Sequence, residues 1–254
     1  MITCFIPFVS QEQVGLTLQE LKKCELIKHI YLLVTDTAKI EEFGDCQFLE
    51  VDTLNSTATY RAMATHIDTP FAVIYTKYTT LESGQFLWER MIRIAEDTQA
   101  GMLYADHYQV MDGCRKPAPV IDYQKGSLRD DFDFGSVLFF NSVLLKEAVA
   151  EMDVDYQFAG LYDLRLRLSE KAELVHVNEY LYAEVELDTR KSGEKQFDYV
   201  NPRNRAVQIE MEKVCTAYLK RIGGYLLPNF ETIAFDSDST FPVEETVIIP
   251  VRNR

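Results

Sequence analysis

The chain has 254 residues, 47% of them apolar and 26% charged, with a formal net charge of −14 at pH 7. That length suits one large α/β domain or two small ones. The acidic balance excludes a broad nucleic-acid face or an electrostatic dock on anionic lipid, and leaves open a small phosphate ligand held by a few local cations. No run of 18 apolar residues occurs, so no membrane-spanning helix is expected. The five cysteines are odd in number, scattered and without a C-x-x-C pair, which predicts free thiols in a reducing, cytoplasmic setting. His29, His66, His107 and His176 show no zinc-ligand spacing.

Ile2 to Phe8 reads as a buried strand closed by Pro7. Ser10 to Gln13 has the spacing of a capping box, and Val14, Leu18 and Leu21 follow at helical steps. Further strands are predicted at Ile30–Val34, Phe48–Val51, Phe71–Tyr75 and Met102–Ala105. Helices are predicted at about Thr57–His66 and on the stripe Leu87, Met91, Ile94, Ala95. Strands alternating with helices argue for βαβ units and a mostly parallel sheet flanked by helices. Asp36, Asp52, Lys77 and Asp106 fall at or just past strand C-termini, where an open parallel sheet forms its ligand crevice.

After Asp106 the pattern changes to a hairpin or meander around Asp112-Gly113. A strand at Val137–Phe140 and helices at Ser142–Glu151 and Tyr156–Glu170 come next, then two short strands, Leu174–Val177 and Tyr180–Val185. Asp188 to Tyr199 reads as an exposed loop, with Arg190, Lys191 and Lys195 around Ser192-Gly193. The last helix is expected from Asn201 as N-cap, with Pro202 at its first position, to Gly223-Gly224 as its stop. Residues 225–245 read as a linker. Thr246 to Arg254 (TVIIPVRNR) echo Thr3 to Gln11 (TCFIPFVSQ), which predicts the first strand of a second domain and a first α/β domain over 1–224.

The order of these segments resembles the family-2 glycosyltransferases. Their opening strand, of the form (V/I)-I-I-P-x-x-N, is close to Val247–Arg254 and weaker in Cys4–Ser10. Their second strand ends in acids that contact the nucleotide, as Leu32 to Asp36 does. Ser56 to Ala64, with Arg61, is similar to their A-R-N helix start, and Tyr162 to Leu168 looks like their D-x-x-L-x-x-R helix. The resemblance implies a GT-A fold, nucleotide-sugar-dependent synthesis of a bacterial-type surface glycan by the whole protein, and an acceptor glycan. It implies nucleotide-sugar contacts at Pro7, Asp36, Arg61, Lys77 and Asp106, and puts Asp163 at the position of the acceptor base.

One departure matters. Such enzymes hold Mg²⁺ or Mn²⁺ on a D-x-D motif after the fourth strand, whereas Tyr75 to Thr79 offers only Lys77. No metal or other cofactor is therefore expected here; the metal is expected in the downstream domain. Lys77 would serve as a fixed cation for phosphate, or simply be solvated. Asp106 beside His107 is a possible ligand pair or a strand-end cap, and Asp130, Asp131 and Asp133 are a solvated acidic turn or a cation site. Asp163 is a base or an exposed partner of Arg167. Two functions stay open: a metal-independent transferase, and a non-catalytic companion that binds acceptor glycan or packs on a catalytic domain. A nucleotidyltransferase is disfavoured, because Pro7 to Gly15 holds a single glycine where its phosphate loop belongs.

Overall fold

The computed structural model describes residues 1–8, 10–35, 46–185 and 205–232, apart from the side chains of 11–13. Asp36, the 188–199 loop with its three cations, the expected helix start at Asn201-Pro202 and the whole of 233–254 lie outside the described residues.

The first half forms as the periodicity predicts. β1 (Ile2–Pro7) is buried along its whole length, and α1 (Gln11–Lys22) buries Val14, Leu18 and Leu21. β2 (Ile27–Val34) and β3 (Gln47–Glu50) follow. α2 (Thr57–His66) starts where Ser56 Oγ accepts the Thr59 N–H at 3.2 Å, satisfying one orphan donor of the first turn. β4 (Phe71–Tyr75) is followed by β5 (Thr80–Ser83), a short polar strand without a sequence signal. α3 (Leu87–Thr98) buries Leu87, Trp88, Met91, Ile92 and Ala95.

β6 (Met102–Met111) runs longer than its apolar start suggests and turns into β7 (Cys114–Ala118). β8 (Val137–Asn141) leads into α4 (Ser142–Ala150), capped by Asn141 Oδ1, which accepts from Val143 and Leu144 N–H. α5 (Gly160–Lys171) begins later than Tyr156. The N–H groups of Gln157, Phe158 and Ala159 donate instead to the Glu210 carboxylate, at 3.1, 2.7 and 3.2 Å. β9 (Leu174–Val185) is one strand rather than two, with a register irregularity opposite Ala105–His107. α6 (Arg205–Arg221) ends at Gly223, whose φ of +72° sets a left-handed stop.

The strands form one mixed sheet in the order β3-β2-β1-β4-β8-β6-β9-β5, with β7 paired to β6. Pairing is parallel from β3 through β4; β8 then runs antiparallel to both β4 and β6, while β6 and β9 are parallel. One apolar core lies under α1 and α3, a second under α2, α4 and α5, and a third cluster joins α5 to α6 through Tyr162, Leu166, Val214 and Tyr218. Among the described residues no helix is long and apolar enough to cross a membrane.

Candidate functional site

The C-terminal ends of β1, β2 and β4 face the start of α2, the region expected to hold a ligand. Pro7 is buried there, and the next N–H, of Phe8, donates to Leu33 O at 2.9 Å. A recess between Leu33, Asn55, Tyr60, Ile74, Tyr75 and Thr76 has a volume of about 10 Å³, room for a single water. Beside it Asp52 Oδ1 accepts from Ser56 Oγ (2.6 Å) and the Thr53 N–H (2.7 Å). The Ser56 hydroxyl, above all, holds this carboxyl below the usual range. Arg61 points to the segment between α4 and α5, where it pairs with Asp155 and donates to Met152 O at 2.6 Å.

Just past β4, Lys77 Nζ donates to Glu184 Oε2 at 2.6 Å. Glu184, on β9, is fully buried, whereas the Lys77 side chain is 38% exposed. The other carboxylate oxygen lies 3.4 Å from Nε2 of buried His107, whose ring stacks on Tyr182 with centroids 5.1 Å apart. Burial lowers the His107 pKa, and Glu184 opposes that shift. Tyr182 Oη in turn accepts the Ser136 N–H at 2.9 Å. A side chain at position 135 would meet that oxygen at 2.3 Å, and φ there is +69°, so glycine is required on both grounds. The stretch Tyr75 to Thr79 holds no carboxylate. Among the described residues no three His, Cys, Asp or Glu side chains converge as metal ligands. The divalent ion that the family resemblance brings with it has no fitting donor set after β4.

Asp106 lies on the opposite face of β6 from His107. It is 2% exposed, and its Oδ1 accepts from Val120 N–H (2.8 Å) and faces His176 Nε2 at 2.9 Å. His176 Nδ1 is 2.7 Å from Asp122, and the ring stacks on Tyr104. An open crevice lined by Asp106 is thus not what forms; the carboxylate is enclosed because the 120–123 segment folds over it.

Asp163 does pair with Arg167 one turn on, as its spacing predicts, but it is buried rather than exposed, at 1%. Both its oxygens accept from Arg167 Nε, at 2.9 and 3.0 Å, and Arg167 Nη2 also reaches Asp153. Burial raises the Asp163 pKa, while Arg167 works against the rise. In the acidic turn Asp131 pairs with Arg129, and Asp133 accepts the Gly135 N–H.

Lys77 is therefore fastened to β9, Asp106 to the 120–123 segment, Arg61 and Arg167 to the 152–155 segment. These side chains bond to three different segments of the chain. Glu184 and His176 are polar partners that the sequence reading did not pair with anything, and His107, read there as a possible ligand pair with Asp106, faces Glu184 instead. Glu184 carried a signal: it is the one acid inside the apolar run Tyr180–Val185.

No family model matches the sequence, and no curated protein does. Among solved structures, TarS 1–349 of S. aureus in complex with UDP-GlcNAc is 9% identical, with a TM-score of 0.52 over 87% of this chain and 72% of that one. The 4-diphosphocytidyl-2C-methyl-D-erythritol synthase of Anaerococcus prevotii is 10% identical, with a TM-score of 0.48 over 80% of this chain and 97% of its own. For the bifunctional IspDF of Campylobacter jejuni the values are 12% and 0.45, over 78% of this chain, which spans about half (53%) of that protein. At such identities the likeness to TarS is one of fold, and the fold is GT-A-like.

Proposed function

We propose that this chain is a glycosyltransferase domain of the family-2 kind that serves nucleotide-sugar-dependent glycan synthesis as a companion, without transferring sugar itself. Its role is to hold acceptor glycan or to pack on a catalytic domain. The observation that carries this reading is the ion pair between Lys77 and buried Glu184 just past β4. A departing nucleoside diphosphate develops negative charge that a metal or preorganised cations must meet, commonly the largest catalytic contribution. Here the cation at that place is committed to a buried carboxylate, and releasing it would leave Glu184 uncompensated. The Asp163 carboxylate is similarly engaged by Arg167. The fold shared with TarS, a protein crystallised with UDP-GlcNAc, supports descent from sugar-nucleotide users.

The test is hydrolysis and transfer of UDP-GlcNAc and a panel of other nucleotide sugars by the purified chain, beside its Asp163→Asn variant. Product formation at the no-protein background is expected for both. Turnover that vanishes in Asp163→Asn would overturn the companion reading and make Asp163 the base.

A further inference from the structure

The strands β5, β9, β6 and β7 lie side by side, and their register assigns side chains to two faces. One face carries Leu81, Tyr182, His107 and Glu184, all buried. On the other, Glu82, Ala183, Tyr108 and Pro117 form one row, and Thr80, Val185, Val110 and Arg115 the next. This second face also holds a ladder of rings along β6 and β9. Its first rung, Tyr104 on His176, is covered by the 120–123 segment, for Tyr104 Oη donates to Ile121 O and accepts the Tyr123 N–H. Its second rung is Tyr108 with Tyr180, centroids 4.8 Å apart, and there Tyr180 is 40% exposed.

The charges around this open rung come as balanced pairs. The Arg115 guanidinium sits 4.7 Å from the Tyr108 ring centroid and 3.6 Å from Glu82. Arg90 on α3 donates to Glu179, the neighbour of Tyr180, at 3.0 and 3.1 Å.

We propose that this face is a binding platform for an uncharged glycan, with exposed Tyr180 as its stacking ring and Tyr108 backing it. It rests on the companion reading, whose acceptor-holding role it would locate. A pyranose offers a face of C–H groups to an aromatic ring and a rim of hydroxyls to planar donors and acceptors such as Arg115 and Glu82. An anionic ligand would meet Glu82 and Glu179, and a cationic one Arg115 and Arg90; a neutral one meets no opposed charge. A protein partner of useful affinity would call for a broader continuous apolar patch, whereas here Glu82, Thr80 and Arg115 interrupt the apolar residues of the two rows.

The experiment presents the full chain to an array of uncharged and acidic oligosaccharides, followed by calorimetry with chitohexaose and maltohexaose. Binding to uncharged glycans is expected, weakened about tenfold or more in Tyr180→Ala and in Arg115→Ala, and kept within about twofold in Tyr180→Phe. Circular dichroism of each variant separates lost binding from lost folding. The platform is refuted by capture of acidic glycans only, by no capture, by affinity indifferent to Tyr180→Ala, or by self-association that Tyr180→Ala abolishes. None of these readouts involves nucleotide-sugar turnover, so the companion reading stands or falls separately.

Discussion

Past β3, the carboxylate that precedes α2 bonds to its neighbours in sequence; past β4 and on β6, charged side chains bond across the chain. Asp52 is held by Thr53, Ser56 and Thr59, all within seven residues of it. Lys77 reaches Glu184 across 107 residues, and His176 reaches Asp106 across 70. The local cluster is a helix cap that any βα turn can carry. The Lys77–Glu184 pair lies just past β4, where the family resemblance puts the D-x-D motif. The local cluster is therefore generic, whereas the long-range Lys77–Glu184 pair sits where the stretch after β4 lacks the D-x-D pattern.

The sharpest way to break that contrast is Lys77→Met. It leaves Glu184 charged and buried, and should destabilise the chain by about 3 kcal/mol, the low end for a broken buried pair because Lys77 is partly solvated. Lys77→Met with Glu184→Leu should recover most of the loss in urea titrations. If the double variant is no better than the single, the pair is not what the cluster depends on. The same cluster gives a pH dependence. Burial places the folded His107 pKa below its ordinary 6.5, so under that pH the unfolded chain binds more protons than the folded one. Its stability contribution is complete above pH 6.5 and declines as the pH falls; His107→Phe, which keeps the stack on Tyr182, should flatten that limb of the stability profile.

Smaller effects follow. Asp163→Asn should cost about 2 kcal/mol, less than a fully broken buried pair, because Arg167 keeps its contact with Asp153. Ser56→Ala removes the α2 cap and should cost about 1 kcal/mol by thermal or urea unfolding. Should Ser56→Ala exceed Lys77→Met, the contrast between local and distant pairing is inverted.

Much of the fold was legible because its signals are local. The apolar run Ile2–Pro7, the helical stretch Thr57–His66 and the stripe from Leu87 to Ala95 each dictate an element within a few residues. β5 was not, since Thr80–Ser83 is a strand only because β9 pairs with it. The late start of α5 was hidden for a similar reason: its preceding N–H groups are claimed by Glu210, some 50 residues on. The candidate site suffered most. Lys77, Asp106 and Asp163 were visible as charged residues at telling positions, but whether each is open or engaged depends on Glu184, His176 and Arg167. Of these, only Arg167, at helical spacing, announces its partner in the sequence.

The smallest expected effect tests the comparison from the ligand side. A GT-A enzyme with a D-x-D motif binds the diphosphate of its nucleotide through Mg²⁺ or Mn²⁺, and hard cations need oxygen ligands in number. After β4 this chain places Tyr75, Thr76, Lys77, Tyr78 and Thr79, with a single charged side chain that already faces a carboxylate. A divalent ion arriving there would meet the Lys77 ammonium and no acid on the same segment. Adding Mn²⁺ should therefore change the affinity for UDP or GDP by much less than tenfold, the step worth about 1.4 kcal/mol. Calorimetry with and without the ion measures this directly. A gain of tenfold or more would mean that Glu184 leaves Lys77 to ligate metal, and the place past β4 would then be a working site rather than a closed one.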